Sequence, residues 1–142
     1  MYTVVSTKGE RVECWFLVPL VRNADRGLHS VELWRLLVEE LYDLASGWTG
    51  PQQVFAWRAV YEDVEPTPGG WRDASTGKIV GDESRKYTVI IPENKVEDLR
   101  ELLSRAANSF DQEEMLLLVQ GKDRSVKRDS AKGFLKGDVR AQ

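Results

Sequence analysis

Cysteine and histidine are almost absent: the 142 residues hold one of each, Cys14 and His29. A single cysteine excludes an intrachain disulfide and a cysteine-rich metal site, and points to a reducing, cytoplasmic compartment. A single histidine excludes a metal centre built from imidazoles and leaves any histidine-based triad resting on His29 alone. His29 sits beside a predicted helix start, where a local turn contact is the simpler role. Cys14 lies mid-strand in an apolar run, where a thiol serves as a small hydrophobe rather than a nucleophile. Long hydrophobic runs are missing too. No stretch reaches the roughly 20 residues that span a bilayer, and Met1-Tyr2-Thr3-Val4 does not read as a signal peptide, so no membrane partner is expected. There is no Gly-rich phosphate loop followed by Lys-Ser/Thr and no Asp-x-Asp-x-Asp-Gly loop. Neither a cofactor nor a metal is expected.

What is present is an ordinary globular balance, 42% hydrophobic and 30% charged, with five tryptophans. A chain of this length fits one domain. The formal net charge of −3 is unevenly spread. Residues 121–142 carry Lys122, Arg124, Lys127, Arg128, Lys132, Lys136 and Arg140 against Asp123, Asp129 and Asp138, a net of +4 that leaves −7 for the rest. An acidic body suits a phosphate backbone poorly, so nucleic acid is expected only through the basic tail. After Lys122 the strongly apolar residues are few (Val126, Phe134, Leu135, Val139). The expected division is a single α+β domain over 1–121 and a flexible, basic C-terminal tail over 122–142, which buries little.

Periodicity places the elements. Val12, Cys14, Phe16, Val18 and Leu20 alternate as one face of a central strand. A weaker reading pairs Tyr2–Ser6 back on it. Ser30 offers an N-cap to a helix over 30–45, with Leu33, Leu37, Leu41 and Leu44 in one stripe and Trp34, Val38, Tyr42 and Ala45 in the next. A second strand covers 53–62 and a third 85–91. Between them runs a long Pro- and Gly-bearing loop, in which Trp71 to Val80 forms a small hairpin around Ser75–Lys78. Asn94 and Glu97 resemble a capping box for a helix over 95–109, with Leu99 and Leu103 in the core. A last strand covers 115–120. The pattern βαββαβ predicts a ferredoxin-like fold: one antiparallel sheet, both helices on one face, and a long hairpin loop between the second and third strands.

Gly70-Trp71-Arg72, Gly77, Glu83-Ser84, Tyr87-Thr88-Val89 and Phe110 with Gln112-Glu113 form a spaced pattern. It resembles that of a group of small uncharacterised bacterial and phage-associated proteins with a ferredoxin-like core. The resemblance implies the fold and no particular reaction.

Two functional readings follow. In the first, the chain is a non-enzymatic binding or assembly module. Its bare sheet face or edge, with Trp15, Phe55, Trp57 and Tyr61 as interface candidates, meets a second copy or another protein. In the second, the chain is an enzyme on a small molecule, with Arg58, Trp71, Arg72, Glu83, Arg85 and Glu113 lining a cleft between the sheet and the 62–85 loop. There Glu83 and Glu113 would make a carboxylate pair for acid–base work. The sequence favours the first, since an uncovered apolar sheet face ordinarily has a partner.

Overall fold

The structure, a computed structural model, describes residues 11–46, 60–62, 67–72 and 79–141, with only the backbone of Ser46, 60–62, 67–72, 79–82 and Ala141. Strand β1 is Arg11–Pro19, helix α1 Val31–Ser46, β2 Val60–Glu62, β3 Thr67–Arg72 and β4 Ile79–Pro92. Helix α2 is Val96–Ser109, followed by the short strands β5 (Glu114–Met115), β6 (Leu117–Val119), β7 (Lys122–Asp123) and β8 (Val126–Lys127). The main sheet runs β2-β4-β1-β6-β7, with β3 beside the early half of β4, and every pairing is antiparallel. The fold is therefore α+β, with an antiparallel sheet and two α-helices among the described residues. The first and last main strands are neighbours, as Cys14↔Val119 and Phe16↔Leu117 show.

The period-2 pattern of β1 decides its orientation. Val12, Cys14, Phe16 and Val18 are buried, while Glu13 is exposed and Trp15 and Leu17 are half-buried. The buried set packs with Tyr87, Val89 and Ile91 of β4 and with Leu37, Leu41, Leu99 and Leu103 of the helices in one apolar cluster. Burial and the neighbouring Glu13 push the Cys14 thiol up to about 11, consistent with a packing role.

Several expectations need correction. Most of the segment read as a long loop is strand: β4 begins at Ile79 and pairs with β3 from Thr67↔Ser84 to Arg72↔Ile79. Trp71 does oppose Val80, as the small hairpin required. Asn94 does not cap α2. It lies in a 3-10 turn, Glu93–Lys95, launched by Pro92, and the N-cap position of α2 falls to Lys95 with no side-chain bond. The expected pairing strand Tyr2–Ser6 and strand residues 53–59 lie outside the described residues.

The segment after Gly121 is packed, not free. Val119 and Lys122 close a two-residue turn in which Gln120 (φ 50°) and Gly121 (φ 78°) both take the left-handed conformation that a tight hairpin needs. The chain then crosses α2 as β8, which pairs with β5, and Val126 and Leu135 enter the core at 8% and 0% exposure. Polar anchors fasten the crossing. Asn108 Nδ2 donates to the carbonyls of Asp129 and Gly133, both at 2.7 Å, and Ser109 Oγ donates to Asp138 Oδ2 at 2.8 Å. Burial pushes the Asp138 carboxyl up, but the bonds from Arg140 and Ser109 outweigh it and hold the group below its usual range. Gly137 (φ 83°) passes so close to α1 that a Cβ there would meet Leu36 Cδ2 at 2.8 Å. This crossing also turns the buried face of α1. Leu36 and Glu40 are covered and Tyr42 is left 37% exposed, although the second apolar stripe, with Trp34, Val38 and Ala45, predicts Tyr42 on the apolar face.

Candidate functional site

β4 outruns its neighbour. Its pairing with β1 ends at Pro19↔Ser84, while β4 itself reaches back to Ile79 beside β3. Where β1 stops, the chain turns through a tight loop closed by the Val21↔Leu28 bridge and by Arg22 N–H donating to the Gly27 carbonyl at 2.7 Å. Leu20 N–H donates to the Glu83 carbonyl at 2.9 Å, tying this loop to β4. The end of α2 closes the other side. Asp111 takes φ 54° at the helix terminus, a place usually given to Gly, and Gln112 Nε2 donates to the Val21 carbonyl at 3.0 Å. Gln112, which the sequence pattern singled out, is thus a tie between two elements.

Three aromatic rings converge at this end. His29 and Phe110 meet edge-to-face at 4.8 Å, Trp34 and Phe110 lie 4.9 Å apart, and His29 and Trp34 lie 5.6 Å apart. The Arg85 guanidinium lies over the Trp34 ring at 4.2 Å. His29 is 7% exposed. Its Nε2 lies 3.0 Å from the Pro19 carbonyl, which makes Nε2 the N–H donor, while Nδ1 is buried without a hydrogen-bond partner. Burial pushes this imidazole below its usual value, only partly offset by the bond to Pro19. The group is neutral at pH 7 and must take up a proton on unfolding in acid. Stability should therefore hold above about pH 6.5 and fall as pH drops from there toward the folded-state value, because the unfolded chain binds more protons in that window. Urea unfolding at stepped pH checks this. His29→Gln keeps a donor for Pro19 and should flatten the slope; an unchanged slope would assign it to other groups.

The structure distributes the sequence-predicted residues unevenly. Glu83 is exposed and Arg85 half-buried, both where β4 passes the end of β1. Glu113 is exposed one residue beyond Gln112, at the same end of the sheet, and its carbonyl accepts from Arg128 N–H at 2.8 Å. Trp71 and Arg72 are elsewhere. Their register partners are Val80 and Ile79, so Arg72 stands six positions along from Arg85, roughly 20 Å of strand. Arg58, Phe55 and Trp57 lie outside the described residues. Tyr61 is paired with Thr88 in the sheet, and Trp15 is half-buried on the face away from the helices, with the Lys86 ammonium over its ring at 4.8 Å. The aromatic cluster around His29 and Trp34 was missed. Its only signal was the second apolar stripe of α1, and nothing in the pattern joins that stripe to position 85. Among the described residues no group of three or more acids, His or Cys could hold a metal, and no helix is long and apolar enough to cross a membrane.

No family model matches the chain, and no curated protein matches it in sequence. Its fold does match solved structures. A phage SAM lyase in complex with S-methyl-5'-thioadenosine superimposes with a TM-score of 0.53 at 14% identity, over 91% of this chain and 98% of that one. The apo form of a phage SAM lyase gives 0.51 at 13% identity, over 91% and 96%. At such identity the likeness concerns the fold. It overturns the preference for a non-enzymatic assembly module, and with it the lean away from catalysis: the fold shared across nearly both full chains is one on which an enzyme holds a small molecule. Self-association through the bare sheet face gains no support from it.

Proposed function

We propose that this chain is an enzyme acting on a small molecule, and that its substrate is an adenosylated sulfonium such as S-adenosylmethionine. The observation that carries the proposal is the extent of the likeness, 91% of this chain and 98% of the phage SAM lyase. The chain order of the strands, with β6 beside β1, β1 beside β4 and β4 beside β2, supports a ferredoxin-like description of the shared core. Release of S-methyl-5'-thioadenosine from that substrate breaks the bond between sulfur and the aminocarboxypropyl chain. The bonding pair goes to sulfur and cancels its positive charge. The four-carbon fragment is completed without water, by loss of a proton to a base or by internal attack of its own carboxylate. The protein's task is to hold the cation and orient the fragment. An acidic body draws a cationic substrate in, and Glu83 supplies an exposed carboxylate beside Arg85 at the sheet end.

The test is incubation of the purified protein with S-adenosylmethionine, followed by chromatography for S-methyl-5'-thioadenosine. Product should accumulate in proportion to protein. Glu83→Gln should slow it by about 10²-fold or more if the carboxylate moves a proton, with the thermal midpoint unchanged. Absence of product above the buffer blank would reject the reading.

A further inference from the structure

We infer that His29 is the residue that positions Glu83, an inference that rests on the reading above in which the Glu83 carboxylate moves a proton. The link between them is a peptide unit. Glu83 lies one position beyond the last pair of β1 with β4, Pro19↔Ser84, and its carbonyl accepts from Leu20 N–H at 2.9 Å. The carbonyl of that same peptide unit, Pro19 O, accepts from His29 Nε2 at 3.0 Å. The N–H and C=O of a planar trans peptide point in opposite directions. The Pro19–Leu20 unit is therefore pinned between the imidazole and β4, and it cannot rotate while both bonds stand. A second bond, from His29 N–H to the Leu20 carbonyl at 3.4 Å, holds the next peptide unit as well. Hydrogen bonds joined in this way polarise one another.

The imidazole is itself fixed. Phe110 and Trp34 meet it edge-to-face, at 4.8 and 5.6 Å. The bond to Pro19 places the proton on Nε2 and leaves Nδ1 an acceptor, buried without a hydrogen-bond partner. A second proton there would make a buried N–H with nothing to receive it. The charges facing the ring are Arg22 on its own loop and Arg140 on the C-terminal crossing, against Asp111 after α2, while Arg85 of β4 stands over the Trp34 ring. Packing and charge both keep the ring neutral, so acid dislodges it rather than protonating it in place. Glu83 is exposed, so its carboxylate is placed by the backbone that carries it, and that backbone is what His29 holds.

The experiment is steady-state kinetics of S-methyl-5'-thioadenosine formation for wild type, His29→Gln and His29→Leu, each also in the Glu83→Gln background, alongside thermal melts. The glutamine amide offers Pro19 a donor, and leucine offers none. His29→Leu should lower kcat by about 10-fold or more and move KM for S-adenosylmethionine by less than about threefold. His29→Gln should stay within about threefold of wild type in both. In the Glu83→Gln background His29→Leu should lower kcat no further, since a residue that acts through Glu83 has nothing left to place. A further loss there, an equal loss in His29→Gln, an unchanged kcat in His29→Leu, or a change confined to KM would overturn the assignment. Should His29→Leu fail to fold, the pH profiles of wild type and His29→Gln decide. Wild type should then lose kcat below about pH 6.5 beyond any loss the two share, and coincident profiles would overturn the assignment. If wild type forms no product, the adenosyl reading fails and this inference with it; any of the other adverse outcomes, with wild type active, rejects the role of His29 alone.

Discussion

Removal of residues 122–142 should unfold the protein or lower its thermal midpoint by more than about 15 °C. Leu135, fully buried, and Val126, 8% exposed, leave the core with the segment. Emptying one buried leucine site alone costs about 2–5 kcal/mol. Asn108 and Ser109, each 2% exposed, lose their partners. Where such a group stays buried without a replacement, the cost is about 1–3 kcal/mol. The sum is a large share of the 5–15 kcal/mol that keeps an ordinary domain folded. At this chain length each kcal/mol moves the midpoint by roughly 3–4 °C. Differential scanning calorimetry of a chain ending at Gly121 measures the effect. A midpoint within about 3 °C of the full-length protein would mean that the packing over α2 contributes nothing, which is what the composition of the segment by itself predicts.

Glu40→Ala should cost about 3–5 kcal/mol, among the largest effects of any single polar substitution here. Glu40 is 7% exposed and receives both arms of Arg105, at 3.0 and 2.8 Å, together with the Lys136 N–H at 2.9 Å. It therefore joins α1, α2 and the C-terminal crossing at one carboxylate. Its removal leaves Arg105, whose side chain is 17% exposed, with a largely desolvated and unmatched charge. Urea unfolding should show the midpoint concentration falling with the slope unchanged. The double variant Glu40→Ala, Arg105→Met should recover part of the loss, because the uncompensated cation goes with it. A cost under about 1 kcal/mol for Glu40→Ala would show that water reaches Arg105 and the pair behaves as a surface contact.

The main elements could be read because local periodicity and burial coincide in them. In β1, Val12, Cys14, Phe16 and Val18 alternate on the chain and are buried in the fold. In α2, Val96, Leu99, Leu102, Leu103, Ala106 and Phe110 follow one face and all lie in the core. The Asn94 misreading has a local cause as well. Pro92 and the two residues after it favour a 3-10 turn, which moves the start of α2 to Val96 and leaves Asn94 outside any capping position. The strand nature of 67–72 and 79–84 is hidden because glycines and prolines signal turns, while here Gly69 and Gly70 pair with Asp82 and Gly81 along a two-stranded arm. Within that arm the register places Trp71 opposite Val80 and Arg72 opposite Ile79, six strand positions from Arg85, a spacing that residue type alone does not reveal.

The candidate site was half visible. Glu83, Arg85 and Glu113 were named from residue type and position, and they do fall at one end of the sheet. Trp34 under Arg85, and His29 and Phe110 behind it, were not, since they come from the start of one helix, the loop before it and the end of the other. Sequence by itself determined the α+β class, the strands and helices whose apolar spacing matches one backbone period, the impossibility of an intrachain disulfide and the acidic charge of residues 1–120. Tertiary structure alone decided the rest. It docked a basic, apolar-poor segment through Leu135, Asn108, Ser109 and Glu40, and it set the register of the arm. It also placed a guanidinium on an indole ring. The physical reason is that periodicity reports which side of an element is buried, whereas docking, register and ring contacts depend on residues far apart in the chain, whose complementarity leaves no local period to read.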